Sequence, residues 1–231
     1  MKTKLILVML TIFLVGCSGK SDKKITEIKI SDSEFVEVYE EPRHKLVFEN
    51  KDFKILDIQI KPNDTTLFYR HRKPMFYVSL GWQQNASQLL NADWKKGASE
   101  EWPIGEIDID SSYLNNPIIH RVTNVGAKPS RLIGILNTSN GLKLTDKSDS
   151  NQSKSRWFRS KRIELNENES LDYQQLENPT IIIIVSSDEI EVIKDNKSRS
   201  HNKKWLVVED MTQLNNSSNS KIEMIQIEVL K

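Results

Sequence analysis

Apolar residues fall on every second position along much of this chain, the period of a β-strand with one face buried. Phe53 and Ile55, then Ile58 and Ile60, follow that pattern with one slip around Asp57, which predicts a strand over residues 53–60 carrying a bulge. It is preceded by a strand at 45–48 and a turn at 49–52. Pro62, Asn63 and Asp64 form the next turn, where proline fixes φ and the two polar side chains accept backbone hydrogen bonds. Residues 67–80 read as a strand region broken at Lys73-Pro74, and 117–125 and 131–136 as two more strands. Between them, Leu89, Leu90 and Trp94 are spaced for a helical turn or for a loop packed on the body. Residues 181–185 are apolar at both parities, as in a strand covered on both sides. Residues 195–204 read as a polar hairpin loop, and 222–230 alternate again with Ile225, Ile227 and Val229 on one face. Short strands with turn signals every ten residues or so indicate an all-β sandwich or barrel.

The pattern repeats. Residues 53–80 return at 158–185 with an offset of 105. Phe53 meets Phe158, Ile58 meets Ile163, and Asn63-Asp64-Thr65 becomes Asn168-Glu169-Ser170. Pro74 becomes Pro179, and Phe76, Val78 and Leu80 become Ile181, Ile183 and Val185. A repeat of this length implies two copies of one folding unit. At the same offset Tyr69, His71 and His120 meet Gln174, Leu176 and Ile225, so a polar site in the first copy would be hydrocarbon in the second. Burying that leucine and isoleucine would strengthen the core by roughly 1.5–3 kcal/mol each. The second unit is therefore expected to be structural, covering an edge or face of the first or contacting a partner.

The N-terminus carries an address. Lys2 and Lys4 precede an apolar run over residues 5–15, interrupted only by Thr11. As a helix it would span about 16 Å, short of a bilayer's roughly 30 Å, and it reads as a secretory signal peptide. The run ends Leu14-Val15-Gly16-Cys17, which resembles the lipobox of bacterial lipoproteins. The resemblance implies cleavage before Cys17 and its acylation, hence attachment to a lipid bilayer. Ser18 stands where aspartate would signal inner-membrane retention, so outer-membrane attachment in the cell envelope is expected. Cys17 is the sole cysteine, which excludes an intrachain disulfide. Once Lys2 and Lys4 are removed, 31 basic residues face 32 acidic ones, and a nearly neutral chain gives no footprint for nucleic acid.

Asn63 followed after five residues by Tyr69-Arg70-His71, with Gly81 beyond, resembles the first motif of the cupins, small jelly-roll barrels. His120-Arg121-Val122-Thr123-Asn124 resembles their second motif, a histidine with an asparagine four residues on. The resemblance implies two tandem cupin-type double-stranded β-helix barrels, a bicupin. The expected organisation is a signal peptide with lipobox at 1–17, a tether at 18–34, a first barrel at 35–137, a linker at 138–155 and a degenerate barrel at 156–231. It also implies a metal-ligand set of three histidines and a glutamate for Fe, Mn, Ni, Cu or Zn. Here only His71 and His120 of that set are present. Tyr69 holds the first histidine position, and the glutamate position falls on Met75 or Phe76.

Three readings follow for the first barrel: a divalent transition-metal site on His71, His120 and Tyr69; a small-molecule pocket of Tyr69, His71 and His120 walled by Trp82 or Trp102; or a hydrogen-bonded polar cluster. Arg70 and Arg121 neighbour the histidines and should point the opposite way. His44 and His201 are expected at the surface, and Trp94, Trp157 and Trp205 as caps or core. Asp108 and Asp110 share a face, which an edge-strand charge pair would explain. No nucleophile–base pair, phosphate loop or paired acidic motif is present. The function expected is non-catalytic binding of a small molecule or envelope component; the alternative is a metal-dependent oxygenase or isomerase of the cupin type. Many cupins dimerise, and a homodimer is a further expectation.

Overall fold

The computed structural model describes residues 35–94, 101–141, 152–186, 189–210 and 212–231. The expected leader with Cys17, the tether at 18–34 and residues 142–151 of the linker lie outside the described residues. The chain there is all-β, with one 3-10 turn at Ser112–Leu114. The first half runs β1 (Val36–Glu37), β2 (His44–Glu49), β3 (Phe53–Ile60), β4 (Tyr69–His71) and β5 (Met75–Ser79). It continues through β6 (Gln83–Leu89), β7 (Glu101–Trp102), β8 (Ile107–Asp110), β9 (Ile118–Asn124) and β10 (Ser130–Asn137). These make two sheets, β1-β4-β9-β6-β7 and β2-β3-β10-β5-β8. The second half runs β11 (Gln152–Lys154), β12 (Phe158–Leu165), β13 (Ser170–Tyr173), β14 (Thr180–Ile184) and β15 (Ile190–Lys194). After it come β16 (Lys197–His201), β17 (Trp205–Val208), β18 (Thr212–Asn215) and β19 (Ile222–Val229), in sheets β11-β12-β19-β14-β17 and β13-β18-β15-β16.

Three apolar layers separate the four sheets. Leu56, Ile58, Ile60, Tyr69 and Met75 fill the first sandwich, and Leu165, Tyr173, Ile182, Ile184, Leu214 and Met224 fill the second. A third layer joins the halves: Phe53, Ile55, Phe76 and Val78 pack with Phe158, Ile181, Ile183, Ile225 and Ile227. Strand β3 is thus apolar on both faces, with Phe53 and Ile55 toward the central layer and Leu56, Ile58 and Ile60 into its own sandwich. The slip read at Asp57 is not a bulge, because β3 pairs with β10 without interruption from Phe53 to Ile60. Asp57 closes the strand's central face with an ion pair to Arg131 at 2.9 Å. The bulge lies on β2, between Leu46 and Phe48. Residues 181–185 alternate between the central layer and the second interior, as their double-sided apolarity predicts.

The repeat is visible in matched turns. Asn63 and Asn168 both take left-handed φ, 60° and 59°, and their amides donate to the carbonyls of Asn124 and Asn216. Up to β5 and β14 the offset is 105, but Asn124 and Asn216 make the same bonds 92 residues apart. The first half is longer between those strands, so the constant offset misplaces everything beyond. His120 is matched by Thr212, not Ile225: His120 pairs with Tyr69 across its ladder as Thr212 pairs with Tyr173. Between Asn63 and Tyr69 the first half also carries one extra residue, so there the offset slips to 104 and Tyr173 rather than Gln174 is the counterpart of Tyr69. Ile225 belongs to the central layer, while Leu176 packs against the second interior.

Two further expectations change. Residues 83–89 are a strand, and Leu89 ends it instead of opening a helical turn. Residues 197–201 are also a strand, paired with β15 through a two-residue turn at Asp195 and Asn196 with φ 52° and 57°. Positive φ at both positions is the requirement of a tight hairpin turn.

Candidate functional site

Alternation on two strands builds the site. Tyr69 and His71 on β4 face the interior and Arg70 faces out; on β9 Ile118, His120 and Val122 face in and Arg121 out. Arg70 pairs with Glu37 and lies over the Phe35 ring. Arg121 donates to Gln88 at 2.7 Å and lies over the rings of Phe68 and Trp94. Inside, Tyr69 stands opposite His120 with ring centroids 4.6 Å apart. The Nε2 atoms of His71 and His120 meet at 3.0 Å. The His71 ring stacks on Tyr113 at 4.3 Å, which the 3-10 turn delivers to the cavity wall.

These side chains border a cavity of about 350 Å³ within the first sandwich, together with Trp102. Trp82 is not part of it; 43% exposed, it lies on the surface. Trp157 is buried in the central layer and Trp205 packs against it. His201 is half-buried and bonds the Trp205 carbonyl at 2.8 Å.

His44 is not a surface residue. It is 3% exposed, lines the cavity and packs edge-on against Tyr69 at 4.6 Å. Its Nδ1 donates to the Val38 carbonyl at 2.7 Å. The loop before β2 is pinned by buried Glu41, which accepts from the Arg43 amide at 2.6 Å, its guanidinium at 3.0 Å and the Leu67 amide at 3.2 Å. Arg43 also bonds Asp64 at 2.7 Å, closing the loop over the barrel. No motif spacing marks His44, because its burial depends on this loop.

Tyr77, Asp108, Gln83 and Asn85 also line the cavity and were not singled out as pocket residues. Asp108 pairs with Tyr77 across the ladder. It lines the interior, while Ile107 and Ile109 face the central layer. The Asp–Ile alternation was a legible signal: β8 is the edge strand of its sheet, and its Asp face turns inward. Asp110 lies under the site, accepting from the Ser112 amide at 2.8 Å and from the Tyr113 hydroxyl.

Burial shifts the titrating groups toward neutrality. Desolvation holds His71 well below the ordinary 6.5, and His120 and His44 add to this. His44 is lowered by burial against the pull of the Val38 carbonyl and Glu41. The phenols of Tyr69, Tyr77 and Tyr113 are raised by desolvation and stay protonated. Both histidines are thus neutral in the fold, whereas the unfolded chain takes up protons as the pH drops below about 6.5. Stability is complete above that value and falls below it. A histidine that stays neutral throughout costs about 2 kcal/mol between pH 7 and pH 5. Urea titrations at both pH values should show that loss, and His71→Gln should reduce it; an unchanged loss would mean His71 is not held neutral.

The donor set does not fit the metal of the cupin resemblance. Met75 is fully buried in the first interior where the glutamate would stand, and Phe76 turns to the central layer. Tyr69 supplies a protonated phenol, and the two imidazoles are bonded to each other. Among the described residues no three His, Cys, Asp or Glu side chains converge to hold an ion.

No protein-family profile and no curated protein sequence matches the chain. Solved structures do match it. AerE from Microcystis aeruginosa superposes with TM-score 0.53 at 16% identity, over 83% of this chain and 99% of that one. Salicylate 1,2-dioxygenase from Pseudaminobacter salicylatoxidans superposes with TM-score 0.53 at 9% identity, over 78% and 71%. A cupin 2 conserved barrel domain protein from Leptotrichia buccalis gives TM-score 0.49 at 11% identity, over 80% and 86%. Four sheets in two jelly-roll sandwiches, matched along most of their length by the two neighbours at TM-score 0.53, give this all-β chain the cupin fold.

Proposed function

We propose that the protein is a lipid-anchored bicupin of the cell envelope whose first barrel binds a small molecule without converting it. The observation that carries this reading is the cavity: about 350 Å³, ring-walled, polar at a few points, and short of a metal set among the described residues. That volume suits one small ligand. The corresponding interior of the second barrel is filled by Tyr173, Ile182, Ile184, Leu214 and Met224, which supports a structural role for it. Cys17 and the basic–apolar run before it support the anchor. Binding at an envelope surface needs no further chemistry from the chain.

A second reading, a metal-dependent oxygenase or isomerase, is favoured by the 3.0 Å approach of the His71 and His120 Nε2 atoms. Two nitrogens on one ion at about 2.0–2.1 Å would lie at a similar separation. Salicylate 1,2-dioxygenase is an enzyme by its name, but at 9% identity it attests the fold alone.

One preparation tests both. Cells expressing the full chain are fractionated, and protein extracted from the membrane without chelator is assayed for metal beside His71→Ala. The expected result is outer-membrane protein, a soluble Cys17→Ser variant and negligible metal in both preparations. A soluble parent would remove the anchor. Near-stoichiometric metal, lost in His71→Ala, would replace binding with the enzymatic reading.

A further inference from the structure

Resting on the reading of the cavity as a ligand site, we propose that its ligand is a small organic cation, a protonated amine on an apolar, ring-sized body. The charge of the lining comes first. Among the described residues no lysine or arginine borders the cavity, and Asp108 is the one carboxylate that does. Glu41 stands behind His44, and Asp110 behind Tyr113. With His44 and His71 neutral, the field inside favours a positive charge. Among the described lining residues an anion would find no countercharge.

The walls agree. Tyr69, Tyr77, Tyr113 and Trp102 present aromatic rings around the space, and a cation is attracted to the face of such rings within about 6 Å. Neutral apolar molecules would gain from burial alone.

The unmet hydrogen-bonding groups are the most specific sign. Two buried side-chain atoms among the described residues lack a partner, Asn85 Oδ1 and His71 Nδ1. Asn85 Nδ2 already donates to Gln83 and Ser130, both at 3.1 Å, so the unmet atom is its acceptor oxygen. When His71 donates through Nε2 to His120, its Nδ1 is a second acceptor. Buried groups of this kind require partners: Asn85 Oδ1 requires a donor, and so does His71 Nδ1 in that tautomer. An ammonium group has three donors and no acceptor.

The test uses three probes of one size: benzylamine, benzyl alcohol and benzoate, titrated calorimetrically at pH 7 into the full-length protein in detergent. Benzylamine should bind at least about tenfold more tightly than the alcohol, with no binding of benzoate. Asp108→Asn should weaken benzylamine about tenfold and leave the alcohol unchanged. Asn85→Ala, which removes the unmet oxygen, should weaken benzylamine severalfold. Equal binding of amine and alcohol, tighter benzoate, or indifference to both substitutions overturns the cation and leaves the pocket reading intact. No binding of any probe to folded protein overturns both.

Discussion

Phe158→Ala should cost about 3–5 kcal/mol and loosen both halves of the molecule at once. Phe158 is fully buried in the central layer, with its ring edge-on to Phe76 at 5.5 Å. That layer takes the same sheet face from each copy: Phe53, Phe76 and Val78 from one, Phe158, Ile181 and Ile183 from the other. A truncation there opens a cavity that neither sandwich can close alone. The loss is a large share of the 5–15 kcal/mol typical of folded domains. Denaturant midpoints should fall accordingly. Hydrogen exchange should quicken in β3 and β10 as well as in β12 and β19. Faster exchange confined to the second half would mean that the central layer is not a shared core. Phe76→Ala combined with Phe158→Ala should reveal a coupling of about 0.5–1.5 kcal/mol, as for a contacting aromatic pair.

The central layer also explains what the sequence revealed and what it concealed. Alternation located the strands, and the repeat announced two units, because turns at Asn63 and Asn168 need the same left-handed backbone. Alternation cannot say which of two buried faces is which. Phe76 and Val78 keep one face of the strand apolar, but that face meets the other half, and the interior of the first sandwich falls on Met75 and Tyr77. A gapless offset failed once the first half lengthened between β5 and β9, which is why His120 was set against Ile225 instead of Thr212. In the site, Tyr69, His71 and His120 were legible because each lies on a regular strand. His44 was not, since a loop held by Glu41 and Arg43 buries it. Trp82 and Trp102 are alike in sequence terms and part company only through tertiary packing: one is surface, the other wall.

The second large effect is expected at an asparagine. Asn124 is 1% exposed and clamps the end of β9: its Nδ2 donates to Ile60 at 2.9 Å and Lys128 at 2.8 Å, and its Oδ1 accepts from the Gly126 amide at 2.9 Å. Asn216 repeats the device on Leu165, Asn166, Ser220 and Ser218 at 2.8–3.0 Å. Alanine at either position removes three or more hydrogen bonds to the backbone, at least one of them buried, a cost of about 3 kcal/mol. Asn124→Asp should be worse than alanine at pH 7, because a carboxylate cannot donate and would face two carbonyls. Its deficit relative to alanine should shrink as acid protonates that carboxyl, whose pKa the site raises. Chemical denaturation from pH 7 to pH 4 reads all three variants; a cost below about 1 kcal/mol for Asn124→Ala would show that solvent replaces the clamp. The two asparagines share no partner, so their costs should add. They should differ in one respect. Asn124 ends the strand that carries His120, so its loss should weaken ligand binding in the first cavity, while Asn216→Ala, equally destabilising, should leave that binding intact.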